Sequence, residues 1–283
     1  MKLDIACVEC IKNQSLRVAS AIGADDRLKD ELYSKVSQMS HSFSFDQTPP
    51  EVASSVYAQM ASIAGMHDLY EKQKLQSTKK ALSFIPKLQK QIEASSDKLL
   101  VSTKIAVAGN VIDLAAEVEF SLEDELENLG DFAHNDILKL KDELKSAKTL
   151  LVLGDNVGEH IFDKLYIQTL KKLYPNLDIT YMVRGVPIIN DVTIKEAKEA
   201  GFDEVCTLVD SGVDTPGFSY DRANAKAKEI FDKADIVISK GMGNYECLSP
   251  SHRGNICFLL KVKCQVVANS LGQNVGDIIC KMV

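Results

Sequence analysis

The 283-residue chain is predicted to be an α/β protein, with a mainly parallel sheet in its C-terminal half and a helical region before it. Two observations predict this. Residues 1–147 hold four glycines, Gly23, Gly65, Gly109 and Gly130, and residues 148–283 hold the other eleven. Glycine is costly inside helices and useful in sharp strand–helix turns. From residue 148 onward, short apolar runs alternate with amphipathic stretches at the spacing of right-handed βαβ crossovers. The boundary is therefore drawn between 1–147 and 148–283, and no internal repeat is visible.

In the first half, PEVASSVYAQMASIAG places Val52, Val56, Tyr57, Met60, Ile63 and Ala64 at helical steps, with Pro50 in the first turn and Gly65 at the exit. A second helix is predicted over about 75–95, kinked or broken by Pro86. A third runs through TKIAVAGNVIDLAAE, and Ser121 with Asp124 resembles a capping box opening SLEDELENLG, whose acidic residues read as a solvated face. In the second half, TLLVLG, DITYMV, EVCTLVD and DIVISK read as strands. HIFDKLYIQTLKKLYP, VTIKEAKEAG and DRANAKAKEIFDKA read as helices between them. ICFLLKVK and QVVANSL read as strands near the end.

Composition narrows the function. Hydrophobic residues make up 45% and charged residues 26%, the balance of a globular protein with a substantial core. A net charge of −7 without a Lys/Arg block argues against nucleic acid as partner. No apolar run approaches the roughly 18 residues of a membrane span. The start, MKLDIACVEC, carries Asp4 and Glu9 where a signal peptide would be apolar, so a cytoplasmic protein is expected. Seven cysteines show no disulfide rhythm. Cys7 and Cys10 share a helix face, either as small packing residues, a redox pair or metal ligands.

Open α/β sheets bind ligands beyond the carboxyl ends of their strands. After 149–153 comes Gly154-Asp155-Asn156-Val157-Gly158-Glu159; after 179–183, Arg184-Gly185-Val186-Pro187 leads to Asn190-Asp191. After 205–209 comes Asp210-Ser211-Gly212, and after 235–239, Lys240-Gly241-Met242-Gly243-Asn244. Each tip has an ordinary reading: Asp191 or Asp155-Asn156 could cap the next helix, Gly241 and Gly243 could form a turn, and Lys240 could be solvated. Together they should meet along one sheet edge. Asp155, Asn156 and Asp191 are hard oxygen ligands with no His or Cys in their loops, suited to Mg²⁺ or Mn²⁺. Lys240 and the backbone at Gly241 suit phosphate. Metal, cation and amides are what phosphoryl transfer requires, and a metal could also activate a water.

CVEC at 7–10, MHDLYEKQK at 66–74, AGNVID at 108–113, GDNVGE at 154–159, RGVPIINDVT at 184–193 and KGMGNYE at 240–246 occur in this order. Together they resemble the metal-dependent damage-control phosphatases, and the Cys-x-x-Cys resembles their compact archaeal and bacterial branch. Leu69 stands where that family usually has proline, and Val157 where it has alanine. The resemblance implies a helical region packed on an αβα sandwich and a divalent metal held by Asp155, Asn156 and Asp191, with Co²⁺ or Ni²⁺ as alternatives to Mg²⁺ or Mn²⁺. It places Lys240 and Asn244 near the substrate phosphate, and Asn110 and Asp113 at the cleft wall. Catalytic roles are expected for Asp155, Asp191 and Lys240, and substrate contacts for Glu159, Arg184, Asp210 and Gly241 as well. The expected partner is a small phosphorylated metabolite, a sugar phosphate or a damaged phosphometabolite. Two other readings compete: an S-adenosylmethionine-dependent methyltransferase, whose nucleoside loop would want more glycine than Asp155–Gly158 supplies, and a non-catalytic metal or ligand sensor. Adenosyl-cofactor binding or metal-dependent phosphate release separates them.

Overall fold

The structure, a computed structural model, describes residues 1–109, 131–250 and 253–283. Asn110, Asp113 and the Ser121–Asp124 capping box lie outside the described residues.

Each of the first three helices starts on a side-chain cap. Asp4 caps α1 (Ile5–Ile22) and Asp25 caps α2 (Asp26–Ser40). Thr48 and Glu51 form a reciprocal capping box on α3 (Pro49–Ala64), and Gly65 closes it at φ 64°. These three helices share a core around Val18, Leu32, Val36, Val56 and Met60. Helix α4 (Glu71–Ala94) runs through Pro86 without a break. Pro86 and Leu82 are both exposed, so the carbonyl that proline leaves unbonded can face water. α4 and α5 (Lys98–Ala108) pack Ala81, Leu88 and Ile105 against a helix of the second half.

That half holds β1 (His134–Asn135), α6 (Ile137–Leu144), β2 (Thr149–Leu153), α7 (Glu159–Leu173), β3 (Asp178–Val183), α8 (Ile194–Glu199) and β4 (Thr207–Asp210). It continues with α9 (Ala225–Lys233), β5 (Ile236–Lys240), α10 (Gly241–Leu248), β6 (Ile256–Lys261), α11 (Gln265–Leu271) and β7 (Ile278–Met282). The strand order is β1-β7-β6-β5-β2-β3-β4, and every neighbouring pair is parallel except β6–β7. One face packs on residues of α5, α6 and α7, the other on α9, α10 and α11, which makes an αβα sandwich. β2, β5 and β6 are buried almost throughout, as parallel strands covered on both faces must be.

QVVANSL is a helix, not the predicted strand. Val267, Ala268 and Leu271 face the core at helical spacing and Gly272 ends it at φ 67°; the paired valines suggested a strand, and core contact overrode them. The last strand, IICKM, and the two-residue β1 were not foreseen.

The chain moves from β2 outward to β3 and β4, then returns to the other side of β2 with β5. The topological switch point therefore lies between the carboxyl ends of β2 and β5, where such sheets bind ligands.

Candidate active site

At the end of β2, Gly154 continues the ladder, donating its N–H to Met182 O. A Cβ here would lie 2.5 Å from the Tyr181 hydroxyl, so only glycine fits. The chain then leaves the sheet and zips onto residues 190–192. Val157 N–H donates to Asn190 O at 2.8 Å and Val192 N–H to Asp155 O at 2.9 Å, and Asn156 pairs with Asp191 in an antiparallel bridge. This backbone clamp brings Asp155, Asn156 and Asp191 together, at 7%, 8% and 2% exposure.

None of the three caps a helix. Gly158 begins α7 with no side-chain cap bond, and Thr193 caps α8 in a box with Glu196. Instead, the two carboxylates converge on Arg184, which is fully buried. Its Nε donates to Asp191 Oδ2 at 2.7 Å, and its Nη2 lies 3.6 Å from Asp155 Oδ1 without a hydrogen bond among the described residues. Asn156 Nδ2 donates to Asp155 Oδ2 at 3.0 Å. Burial pushes the Asp191 carboxyl up to about 7, opposed by Arg184 and reinforced by Asp155. One guanidinium between two buried carboxylates leaves surplus negative charge. The donor set is hard oxygen, so it fits a small divalent cation. Among the described residues no three His, Cys, Asp or Glu side chains form a metal cluster; the grouping here is two carboxylates and a carboxamide.

Gly241 presses on this grouping from β5. It sits at φ 74°, and a Cβ there would fall 1.9 Å from Asp155 Oδ2. Gly241→Ala combines that clash with backbone strain. It should displace the Asp155 carboxylate and weaken Mn²⁺ binding at least ~10-fold, read by isothermal titration; unchanged binding would show that Asp155 does not need its present position.

Two residues expected at the phosphate are otherwise engaged. Lys240 is fully buried, and its ammonium donates to Glu159 Oε1 and Asp163 Oδ1, both at 2.5 Å, and to Ala106 O at 2.9 Å. An ammonium has three N–H donors, so in this arrangement it has none to spare for phosphate. The cause is Asp163, which the sequence reading missed, although it lies one turn after Glu159 on the same face of α7. Asn244 is a buried latch: Nδ2 donates to Gly154 O and Lys240 O, and Oδ1 accepts from Phe218 N–H. It ties the β2 and β5 tips together rather than facing a ligand.

Glu159 uses Oε1 on Lys240, while Oε2 is buried with no hydrogen-bond partner among the described residues. Burial raises this carboxyl to about 8, opposed by Lys240 and reinforced by Asp155 and Asp163. Tyr181 donates its hydroxyl to Asp163 Oδ2 at 3.0 Å. Asp210 is exposed and accepts from the Gly212 N–H of its own turn, so it is not part of the grouping. His160 was also missed: it is buried, its Nδ1 accepts from Gly158 N–H, and burial lowers it to about 4, so it is neutral. Lys74 is buried against Asp68 at 2.8 Å and Glu196 at 3.5 Å, joining α4 to α8. On the first turns of α1, Cys7 is half-buried and Cys10 exposed, and both are free thiols.

Among the described residues no helix is long and apolar enough to cross a membrane. The chain is 30% identical to the damage-control phosphatase of Pyrococcus horikoshii, over 99% of this chain and 98% of the relative. It is 29% identical to a damage-control phosphatase of Archaeoglobus fulgidus over the full length of both, and 31% to an uncharacterised Methanocaldococcus jannaschii protein over 98% and 94%. The crystal structure of a family protein from Pyrococcus horikoshii superposes with a TM-score of 0.91 at 28% identity, covering 100% of this chain and 99% of that one. The family described as damage-control phosphatase ARMT1-like domain matches residues 4–279. With that span matched and the carboxylate grouping at the switch point, the chain belongs to the damage-control phosphatase ARMT1-like domain family.

Proposed function

We propose that this phosphatase is metal-dependent and hydrolyses phosphomonoesters of small metabolites, yielding an alcohol and inorganic phosphate. The observation that carries the reading is the convergence of Asp155, Asn156 and Asp191 at the switch point, with neither aspartate spent on a helix cap. Asp155, Asn156 and Asp191 would hold Mg²⁺ or Mn²⁺, with Co²⁺ or Ni²⁺ as substitutes. The metal when bound supplies charge neutralisation at the phosphoryl oxygens.

The chain's own residues do the rest. Arg184 Nε fixes the orientation of Asp191, and Nη2, without a hydrogen bond among the described residues, is the donor available to a phosphate oxygen. The φ 74° turn at Gly241 brings the backbone N–H groups opening α10 close to the same place. Lys240 acts behind the site, holding Glu159 and Asp163. The methyltransferase reading gives the paired buried carboxylates no task.

The test is phosphate release from a panel of phosphomonoesters after EDTA treatment, with each metal added back. Release is expected only with a divalent metal, Mn²⁺ or Mg²⁺ foremost. Equal release in EDTA, or binding of an adenosyl cofactor without release, would reject the reading.

A further inference from the structure

Three thiols from distant parts of the chain meet at the seam between the helical region and the α/β half. Cys7 and Cys10 lie one turn apart near the start of α1, so they share a face. Cys264 stands immediately before α11, in the turn that leaves β6. Cys7 packs on the core of the first three helices, and Cys264 on the core beneath α10 and α11. The run before α1 brings these two cores together. Met1 packs on the same core as Cys264 and its ammonium donates to Glu246 O on α10, while Leu3 N–H donates to Gln47 O at 2.8 Å, ahead of α3. Met242 Sδ accepts from Lys263 N–H at 3.2 Å, which fixes the turn carrying Cys264 onto α10. Charge on Cys264 is felt at Cys7, and charge on Cys10 is felt at Cys264, so Cys264 neighbours both.

The other cysteines differ. Cys206 Sγ donates to Phe202 O, and burial pushes the Cys247 thiol up to about 12. Cys257 and Cys280 are fully buried between β6 and β7, with their sulfurs 3.9 Å apart. Among the described residues Cys10 is the one exposed cysteine, so an oxidant in solution reaches it first. A soft metal would need three donors at once. Among the described residues no three His, Cys, Asp or Glu side chains stand close enough to hold one, whereas a disulfide needs only two thiols.

We infer that Cys264 and the Cys7–Cys10 turn form a thiol–disulfide site, at which hydrogen peroxide closes a reversible covalent bond between α1 and the start of α11. The Cys10 thiolate attacks one peroxide oxygen and the O–O bond breaks; the sulfur becomes a sulfenic acid and the other oxygen leaves as water. The Cys264 thiolate then attacks the Cys10 sulfur and expels the remaining oxygen as water. Two thiols lose two electrons and two protons, and one hydrogen peroxide becomes two waters. Burial holds the Cys264 thiol above its usual range, opposed by the Val267 N–H and reinforced by Glu246, so closure is the slower step. A dithiol reductant reverses the bond by two exchanges. The bond ties the N-terminal helices to the α/β half and closes nearly the whole chain into one loop, so the oxidised form is the more stable. Neither step uses the Asp155 grouping, and the inference does not depend on the hydrolase reading.

The test uses the full chain, reduced with a dithiol and then given a small excess of hydrogen peroxide. Free thiols are capped, and the disulfide is located by mass spectrometry of unreduced peptides. A peptide containing Cys264 should be found joined to the α1 peptide, and the reductant should separate them. The oxidised protein should melt at least ~5 °C above the reduced one. Cys264→Ser, and Cys10→Ser at its exposed position, should both lose that rise. A bond found only between Cys7 and Cys10, or only between Cys257 and Cys280, would overturn the proposal, as would a Cys10→Ser protein with the full rise. Roughly one zinc per chain, released when the thiols are capped, would also overturn it and make the cluster a metal centre.

Discussion

Lys240→Met should cost about 3–5 kcal/mol of stability, the range for removing one partner of a buried ion pair. The variant leaves Glu159 and Asp163 facing each other in a fully buried site, with the Ala106 carbonyl also stripped of its donor. Methionine matches the length but not the charge. The loss should depend on pH. Burial already raises both carboxyls, and Lys240 is the largest opposing influence on each. Without it their folded pKa values rise further above the unfolded value of about 4.3 for Glu and 3.9 for Asp. A raised folded pKa gives stability that is present below the unfolded pKa and lost as pH rises through the folded one. The variant should therefore be nearest to wild type at about pH 4 and progressively worse toward pH 8. Urea midpoints across that range measure it. Adding Glu159→Gln to Lys240→Met removes one stranded charge and should recover part of the loss. A Lys240→Met protein as stable as wild type at pH 8, with phosphate binding weakened, would return the lysine to the substrate.

The position of the candidate grouping was legible because it depends on strand ends. Period and glycine usage locate the carboxyl tips of β2, β3 and β5, and Asp155, Asn156, Asp191 and Gly241 all fall on them. What each tip residue does was less legible, because it depends on partners distant in sequence. Lys240 appeared available until Asp163, 77 residues away, was seen to claim it. Asn244 appeared to be a ligand contact until its amide was found bonded to Gly154 O and Phe218 N–H. The ordinary alternative for Asp191, a helix cap, could be dismissed only when Thr193 was seen to cap α8. QVVANSL shows the complementary failure, where local propensity pointed to a strand and burial of one helical face decided otherwise.

Asp155→Ala should end turnover and leave the fold intact. Its carboxylate is not a cap, so the ~1 kcal/mol penalty of a lost cap does not apply. It shares one guanidinium with Asp191, and its charge raises the cost of charging Asp191. Removing it relieves that repulsion and leaves Arg184 to Asp191 alone, so stability without metal should stay within about 1 kcal/mol of wild type. Activity should fall at least ~10³-fold, the upper end for losing one group that stabilises developing charge. Metal linkage supplies a readout that does not need turnover. A ligand at about 100 times its Kd stabilises the folded state by roughly 2.7 kcal/mol, which raises the Tm of a chain this size by roughly 5 °C. Wild type should show that rise with Mn²⁺, and Asp155→Ala should show none. Full Mn²⁺ stabilisation in Asp155→Ala would place the metal elsewhere, and retained phosphate release would remove this aspartate from the chemistry.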